Sequence, residues 1–244
     1  PSPGLYQNAI NITISSSSAG ATIHYTLDGS TPSTSSPVFT SGLPIWSVAG
    51  KNIKAIAVKS GLLNSDVLTG VFSFPPLKTG QTISYFAGDD GDRKLGVARS
   101  YTGPASHPTY NSDFTTTDNV TSLIWKTCSQ GLSGADCGTG TALTMSWSDA
   151  ENGPNGCSSL NTANSGNAYA GIKSWRLPTR EELESLTDYG RINPAIDVTR
   201  FPGTVSDFYW TSTSFGNTNH IASVINFVAG RMQNQGVSAL QYVR

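Results

Sequence analysis

The stretch Trp175-Arg-Leu-Pro-Thr-Arg-Glu-Glu-Leu-Glu-Ser-Leu186 gathers two arginines and three glutamates, in a chain of which only 13% of residues are charged. Such a cluster reads either as carboxylates set up for acid–base chemistry or as a carefully started helix. The helix reading accounts for nearly every position. Thr179 is placed to accept from the amide of Glu182 while Glu182 reaches back to the amide of Thr179, the reciprocal arrangement of a capping box. Each end donor satisfied in this way contributes about 1 kcal/mol. Pro178 sets the direction of entry, and Glu181 and Glu182 fall in the first turn, where the helix dipole favours carboxylates. Leu183 and Leu186 share a face at i, i+3 and can pack inward with Trp175 and Leu177. Arg180 and Glu184 stand at i, i+4 as a surface pair, which leaves Arg176 without a local task. Glycoside hydrolysis needs two carboxylates facing each other across a cleft, and glutamates along one turn do not supply that. The spacing predicts a capped helix from Thr179 to about Tyr189.

Working outward, a second helix is expected from Ser148 to about Asn161, opened by Ser148-x-x-Glu151 and weakened in its middle by Gly153, Pro154 and Gly156. Around these helices, "VTSLIWKTC", "FYWTSTS" and "ASVINFVAGRM" read as strands, and four of the five tryptophans lie in this half. The first half has a different grammar. "INITI" places Ile10, Ile12 and Ile14 on one face, the period of a half-buried strand. "TIHYTLDG" repeats the pattern with Ile23, Tyr25 and Leu27 and breaks at Asp28-Gly29, a turn dipeptide. "NIKAIAVKSG" and "VLTGVFSF" add two more strands, so residues 1–74 read as a small β-sandwich. Pro75 and Pro76 open an extended connector over 75–82, and the second domain is placed at 83–244.

The 244 residues carry a formal net charge of −1, which offers no electrostatic field to capture nucleic acid or an anionic membrane. No apolar run is long enough to insert into a bilayer. A surface rich in Ser, Thr, Asn and Gly suits a secreted or cell-surface protein. Cys128 and Cys137 close a short glycine-rich loop suited to a disulfide in an oxidising compartment, without the tighter spacing or nearby histidine of a metal or redox pair.

Two resemblances sharpen this picture. "PGLYQNAINITISSSSAGATIHYTLDGSTPS" followed by "IKAIAVKSGLLNSDV" resembles the Ig-like C-terminal domain of chitobiases and β-hexosaminidases, over about residues 3–74. That likeness implies an accessory or spacer module, and His24 in its core motif is expected on the polar, solvent-facing side or at an edge. In the second half, the tryptophans, the Trp-Arg-Leu-Pro-Thr-x-x-Glu-Leu motif and the Tyr-Trp-x-Ser motif resemble the Lcl C-terminal domain family, from Thr79 to Arg244. The resemblance implies an α+β, C-type-lectin-like fold distantly similar to formylglycine-generating enzymes, and a role as a bacterial surface adhesin. Members of that family commonly continue past Tyr-Val-Arg with a cysteine, so Cys157 is expected to be unpaired here. The calcium-dependent sugar motifs of true C-type lectins are absent.

The chemistry-bearing residues favour binding over catalysis. The three histidines, His24, His107 and His220, stand without a nucleophile elbow, and no enzyme activity or cofactor is implied. Asp89, Asp90 and Asp92 around Gly91 fit either a calcium-holding turn or a solvated acidic turn. Asn217, Asn219, His220, Arg231, Gln233 and Asn234 flank the strand "IASVINFV" near Trp210 and Phe215, the amide-and-aromatic kit of a ligand face. In the fold implied by the resemblance, the segments after the Tyr-Trp strand build that face, for a glycan or a host or matrix protein. Self-association in an extracellular assembly, and service as an accessory region of a carbohydrate-active enzyme, are the competing functions.

Overall fold

The computed structural model describes residues 2–5, 11–40, 42–44, 51–73, 76–215 and 220–244. The chain divides into two compact units, residues 1–76 with 119–122 and residues 77–118 with 123–244.

In the first unit the described strands are β1 (Gly4–Leu5), β2 (Asn11–Ile12), β3 (Thr22–Thr26), β4 (Leu43–Pro44), β5 (Asn52–Val58) and β6 (Leu68–Ser73). β1, β6, β5 and β3 form one sheet in that order, while β2 pairs with β4. Ile12 from the small sheet and Ile53 and Phe72 from the large one make a single buried cluster, with Ile14 and Leu27 packed against it. The two sheets therefore face each other across apolar side chains selected by the period-two pattern. Ile10 lies outside the described residues. His24 lies on β3, the end strand of its sheet, as one of the two expected placements had it, but the ring is not solvent-facing: it is buried, and its Nδ1 lies 2.8 Å from the Ser36 carbonyl oxygen.

The second unit mixes strands and short helices. β7 (Tyr101–Ser106), β8 (Phe114–Asp118) and β9 (Ile124–Lys126) form an antiparallel meander, and β10 (Leu132–Ser133) pairs with β11 (Thr139–Gly140). The main sheet runs in the order β12, β16, β13, β14, β15, built from Thr144–Met145, Gln241–Tyr242, Phe208–Phe215, Ile221–Asn226 and Arg231–Gly236. The helices are α1 (Asp90–Arg93), α2 (Trp147–Asn152), α3 (Cys157–Gly166) and α4 (Arg180–Glu184). "IASVIN" reads as an almost continuous apolar run because β14 is covered on both faces. Adjacent residues of β13 accordingly enter different cores. Tyr209 packs with Ile225, Phe227, Leu183, Leu186 and Phe201, while Trp210 packs with Val224, Ala222, Leu177, Met145 and Cys157.

Two helices differ from their sequence expectations. The first begins two residues early, because the Ser146 hydroxyl, not Ser148, accepts from the Asp149 amide at 3.2 Å and donates to its carboxylate at 2.7 Å. It stops at Gly153, and α3 starts afresh at Cys157, so the Gly-Pro-x-Gly break splits the predicted helix in two. The second has the expected capping box but ends at Glu184, five residues short of Tyr189. Arg99 explains the stop. Its guanidinium donates to the carbonyls of Ser185 and Thr187, acceptors that a longer helix would use itself, and a cation is favourable at a helix C-terminus. The same side chain binds the Lys78 carbonyl, and the Tyr189 amide binds that of Thr79 at 2.8 Å. Residues 77–79 of the expected linker are thereby fastened into the second unit.

Candidate functional site

The charged cluster at Trp175–Leu186 is a clasp. Glu182, only 3% exposed in its side chain, receives Arg176 through both oxygens at 2.6 and 2.7 Å and also accepts from the Thr179 amide at 2.7 Å. Arg176, which sequence reasoning left without a task, is thus the counter-ion of the capping carboxylate. The expected Arg180–Glu184 pair does not form; the Arg180 amide instead donates to the Thr213 hydroxyl at 3.0 Å, and the Ser212 amide to the Pro178 carbonyl at 2.8 Å. The two sequence fingerprints, Trp-Arg-Leu-Pro-Thr and Tyr-Trp-x-Ser, hold each other where β13 slips its register with β14 between Trp210 and Ser214. Both oxygens of Glu182 accept structural hydrogen bonds from Arg176 and the helix cap, and the side chain is buried. Arg176→Ala is expected to cost about 2 kcal/mol in urea unfolding, roughly half the figure for breaking a buried pair, because the guanidinium is half exposed. A change below about 0.5 kcal/mol would class the contact with ordinary surface pairs.

The late polar residues are divided by strand geometry. β15 is the outer strand of the main sheet, and Arg231, Gln233 and Asn234 on it are all exposed. Alternation sends Arg231 and Gln233 to one face and Asn234 to the other, where the Ser223 hydroxyl donates to its side-chain oxygen at 3.3 Å. The residue that completes the row with Arg231 and Gln233 is Gln235, which period-two counting on the sequence would have found. His220 is exposed with a positive φ of 45°, and its carbonyl takes the Val237 amide at 2.8 Å, closing the open end of the hairpin. Asn217 and Asn219 lie outside the described residues. Trp210 is fully buried, with its indole N–H donated to the Met145 carbonyl at 2.8 Å, and offers no stacking surface. Phe215, at the far end of β13, is exposed.

At the acidic turn, the Asp89 carboxylate caps α1 through the Asp92 amide and also accepts from the amides of Tyr85 and Phe86, at 2.9, 2.7 and 3.2 Å. These bonds hold its carboxyl below the usual range, the Tyr85 amide contributing most. Asp92 accepts from the Gly88 amide at 2.8 Å. Three carboxylates do not converge there, and no group of three or more metal-binding side chains occurs among the described residues.

Cys128 and Cys137 form a disulfide that closes a loop containing β10 and ending just before β11. Cys157 is free and buried; burial pushes its thiol up to about 12, which withholds the reactive thiolate. The unit's most perturbed amine is Lys126, which no sequence pattern marked. Its ammonium donates to the carbonyls of Cys128, Ser129 and Leu132 at 3.1, 3.4 and 3.0 Å and sits 5.7 Å from the centre of the Tyr169 ring. Burial, then the nearby Arg244 cation, push it from its ordinary 10.5 to about 7, against the pull of Asp113. Between those two values the unfolded chain holds a proton that the folded chain has released. Stability is therefore least below pH 7 and rises with pH through that window, by at most about 1.4 kcal/mol per unit. Between pH 7 and 9, wild type is expected to gain stability that Lys126→Met does not; parallel denaturation curves would refute this. Above that range the buried thiol of Cys157 and the Tyr169 phenol, both raised, bring the opposite trend.

The Lcl C-terminal domain profile matches residues 114–244, and the chitobiase/β-hexosaminidase C-terminal domain profile matches residues 1–69. No curated protein and no solved structure gives a match. Residues 77–113 of the second unit lie outside the Lcl match, which begins later than the resemblance from Thr79 suggests.

Proposed function

The chain belongs to the Lcl C-terminal domain family, and on that premise we propose that it is a non-catalytic binding protein of the bacterial surface or extracellular space. In this reading the second unit is a C-type-lectin-like recognition head for a glycan or protein ligand, and the first unit is a spacer. The observation that carries it is the row Arg231, Gln233 and Gln235 along the outer strand of a sheet whose other strands are locked in two cores. A rigid scaffold presenting long hydrogen-bonding side chains at an open edge is suited to recognition. The buried free thiol, and a Glu182 that is buried and bonded to Arg176 and the helix cap, support the non-catalytic part. The disulfide accords with an oxidising compartment, and no helix among the described residues is long and apolar enough to cross a membrane.

The test is binding of the full chain to a glycan array and to matrix proteins, with Arg231→Ala and Gln233→Ala in parallel. Both side chains are exposed, so the variants are expected to lose binding while melting as wild type does. Silence of the wild type on every ligand would remove the adhesin reading. Undiminished binding by both variants would move the site away from the hairpin.

A further inference from the structure

The segment 83–95 of the second unit carries four large apolar side chains in solvent: Ile83 is 62% exposed, Tyr85 72%, Phe86 79% and Leu95 64%. They are held together by the fold of the segment. The Asp89 carboxylate binds the amides of Tyr85 and Phe86, the Asp89 amide returns to the Phe86 carbonyl at 3.1 Å, and the Gln81 side chain holds the Ile83 carbonyl at 2.9 Å. Gly91 packs so closely that a Cβ there would stand 2.0 Å from the Ile83 oxygen, which fixes α1 against the backbone at Ile83. The acidic residues noticed in the sequence are thus the frame of a preformed apolar surface.

We propose that this surface is a self-association site, seated against the same surface of a second copy of the chain about a two-fold axis. Two aromatic and two aliphatic side chains at these exposures offer roughly 600 Å² per copy, near the lower bound of a specific interface once both copies are counted. Aliphatic Ile83 and Leu95, exposed in the same segment as the two rings, favour a protein surface over a sugar, which takes aromatic faces and polar groups. The rim is complementary to itself. Exposed Asp90 and Asp92 lie at the start of α1, and exposed Arg93 and Lys94 at its end. A two-fold axis across such a patch sets the acidic end of one copy beside the basic end of the other. The net charge of −1 leaves little repulsion between copies to overcome.

Sedimentation velocity on the full chain, from about 1 µM to about 1 mM, tests this. Wild type is expected to pass from monomer to dimer across the range. Phe86→Asp and Tyr85→Ser are expected to weaken association about thirtyfold or more, the loss typical of an interface hot spot, with unchanged melting. Asp90→Lys and Lys94→Glu are each expected to weaken it, and the two together to restore it. A wild type that stays monomeric throughout overturns the proposal, as does a Phe86→Asp variant that dimerises like wild type. A monomer whose retention on a neutral polysaccharide column is lost with Phe86→Asp would give the surface to a glycan, and likewise overturns it.

Discussion

Trp210→Ala is expected to destabilise the second unit by about 4 kcal/mol, the usual loss for truncating a buried tryptophan. In a domain of this size that corresponds to a fall in melting temperature of roughly 10 °C. The indole is fully buried among Met145, Leu177, Val224 and Val243, in the core that also holds Ala150 of α2 and Cys157 of α3. Its N–H supplies the Met145 carbonyl at 2.8 Å, so truncation removes apolar contact and leaves a strand-end acceptor unpaired. Trp210→Phe separates the two losses, since it retains much of the packing and forfeits only the hydrogen bond, at a cost of about 1–2 kcal/mol. If Trp210 instead served as a ligand platform, its alanine variant would melt like wild type and lose binding. Urea unfolding followed by circular dichroism distinguishes these outcomes.

The contrast between Trp210 and the residues around it shows what the sequence could and could not convey. Thr179 and Glu182 were legible as a cap because a capping box is a local contract between residues three apart. The box at Ser148 failed for an equally local reason: Ser146 offers the same hydroxyl two positions earlier, next to a chain already extended as β12. Arg176 was illegible because its partner lies six residues away across a non-helical Leu-Pro step, a spacing no periodicity rule covers. The disulfide followed from a short glycine-rich loop in a chain of extracellular composition. The late polar cluster was read as one patch, yet Gln233 and Asn234 are neighbours in a strand and must point to opposite faces. Lys126 and Arg99 were missed for different reasons. Lys126 folds back on the carbonyls of Cys128, Ser129 and Leu132 in the irregular segment that follows it, where no periodicity rule applies. Arg99 satisfies carbonyls brought to it by tertiary structure, and nothing in its flanking residues reports which those will be.

Arg244 shows the same rule at its largest expected cost and yields the second prediction. The residue is buried, and its guanidinium forms no ion pair with a carboxylate among the described residues. It donates to the Thr127 carbonyl and to the hydroxyls of Thr204 and Ser129, the last at 3.3 Å, and lies 5.2 Å from the centre of the Phe201 ring. Its Nε is buried without a partner. Neutral acceptors and a π face compensate such a cation only in part, and burial lowers its proton affinity. Arg244→Ala is expected to cost about 3 kcal/mol, because a large side chain is lost and the Thr127 carbonyl and Thr204 hydroxyl are left unmet. Arg244→Lys should be no better, since one ammonium cannot span the positions that the planar fork reaches, and it still buries a charge. Arg244→Met should be the mildest of the three, about 1–2 kcal/mol, because it fills the space and removes the charge. The methionine variant carries a second signature. With the neighbouring cation gone, Lys126 is relieved of the repulsion that helps hold it near 7, so the rise of stability with pH should begin at a higher pH than in wild type. Urea unfolding of the three variants across pH 6 to 9 measures both effects. A lysine variant more stable than the methionine variant, or a pH profile unmoved by Arg244→Met, would show that the two buried cations are solvated well enough to act independently.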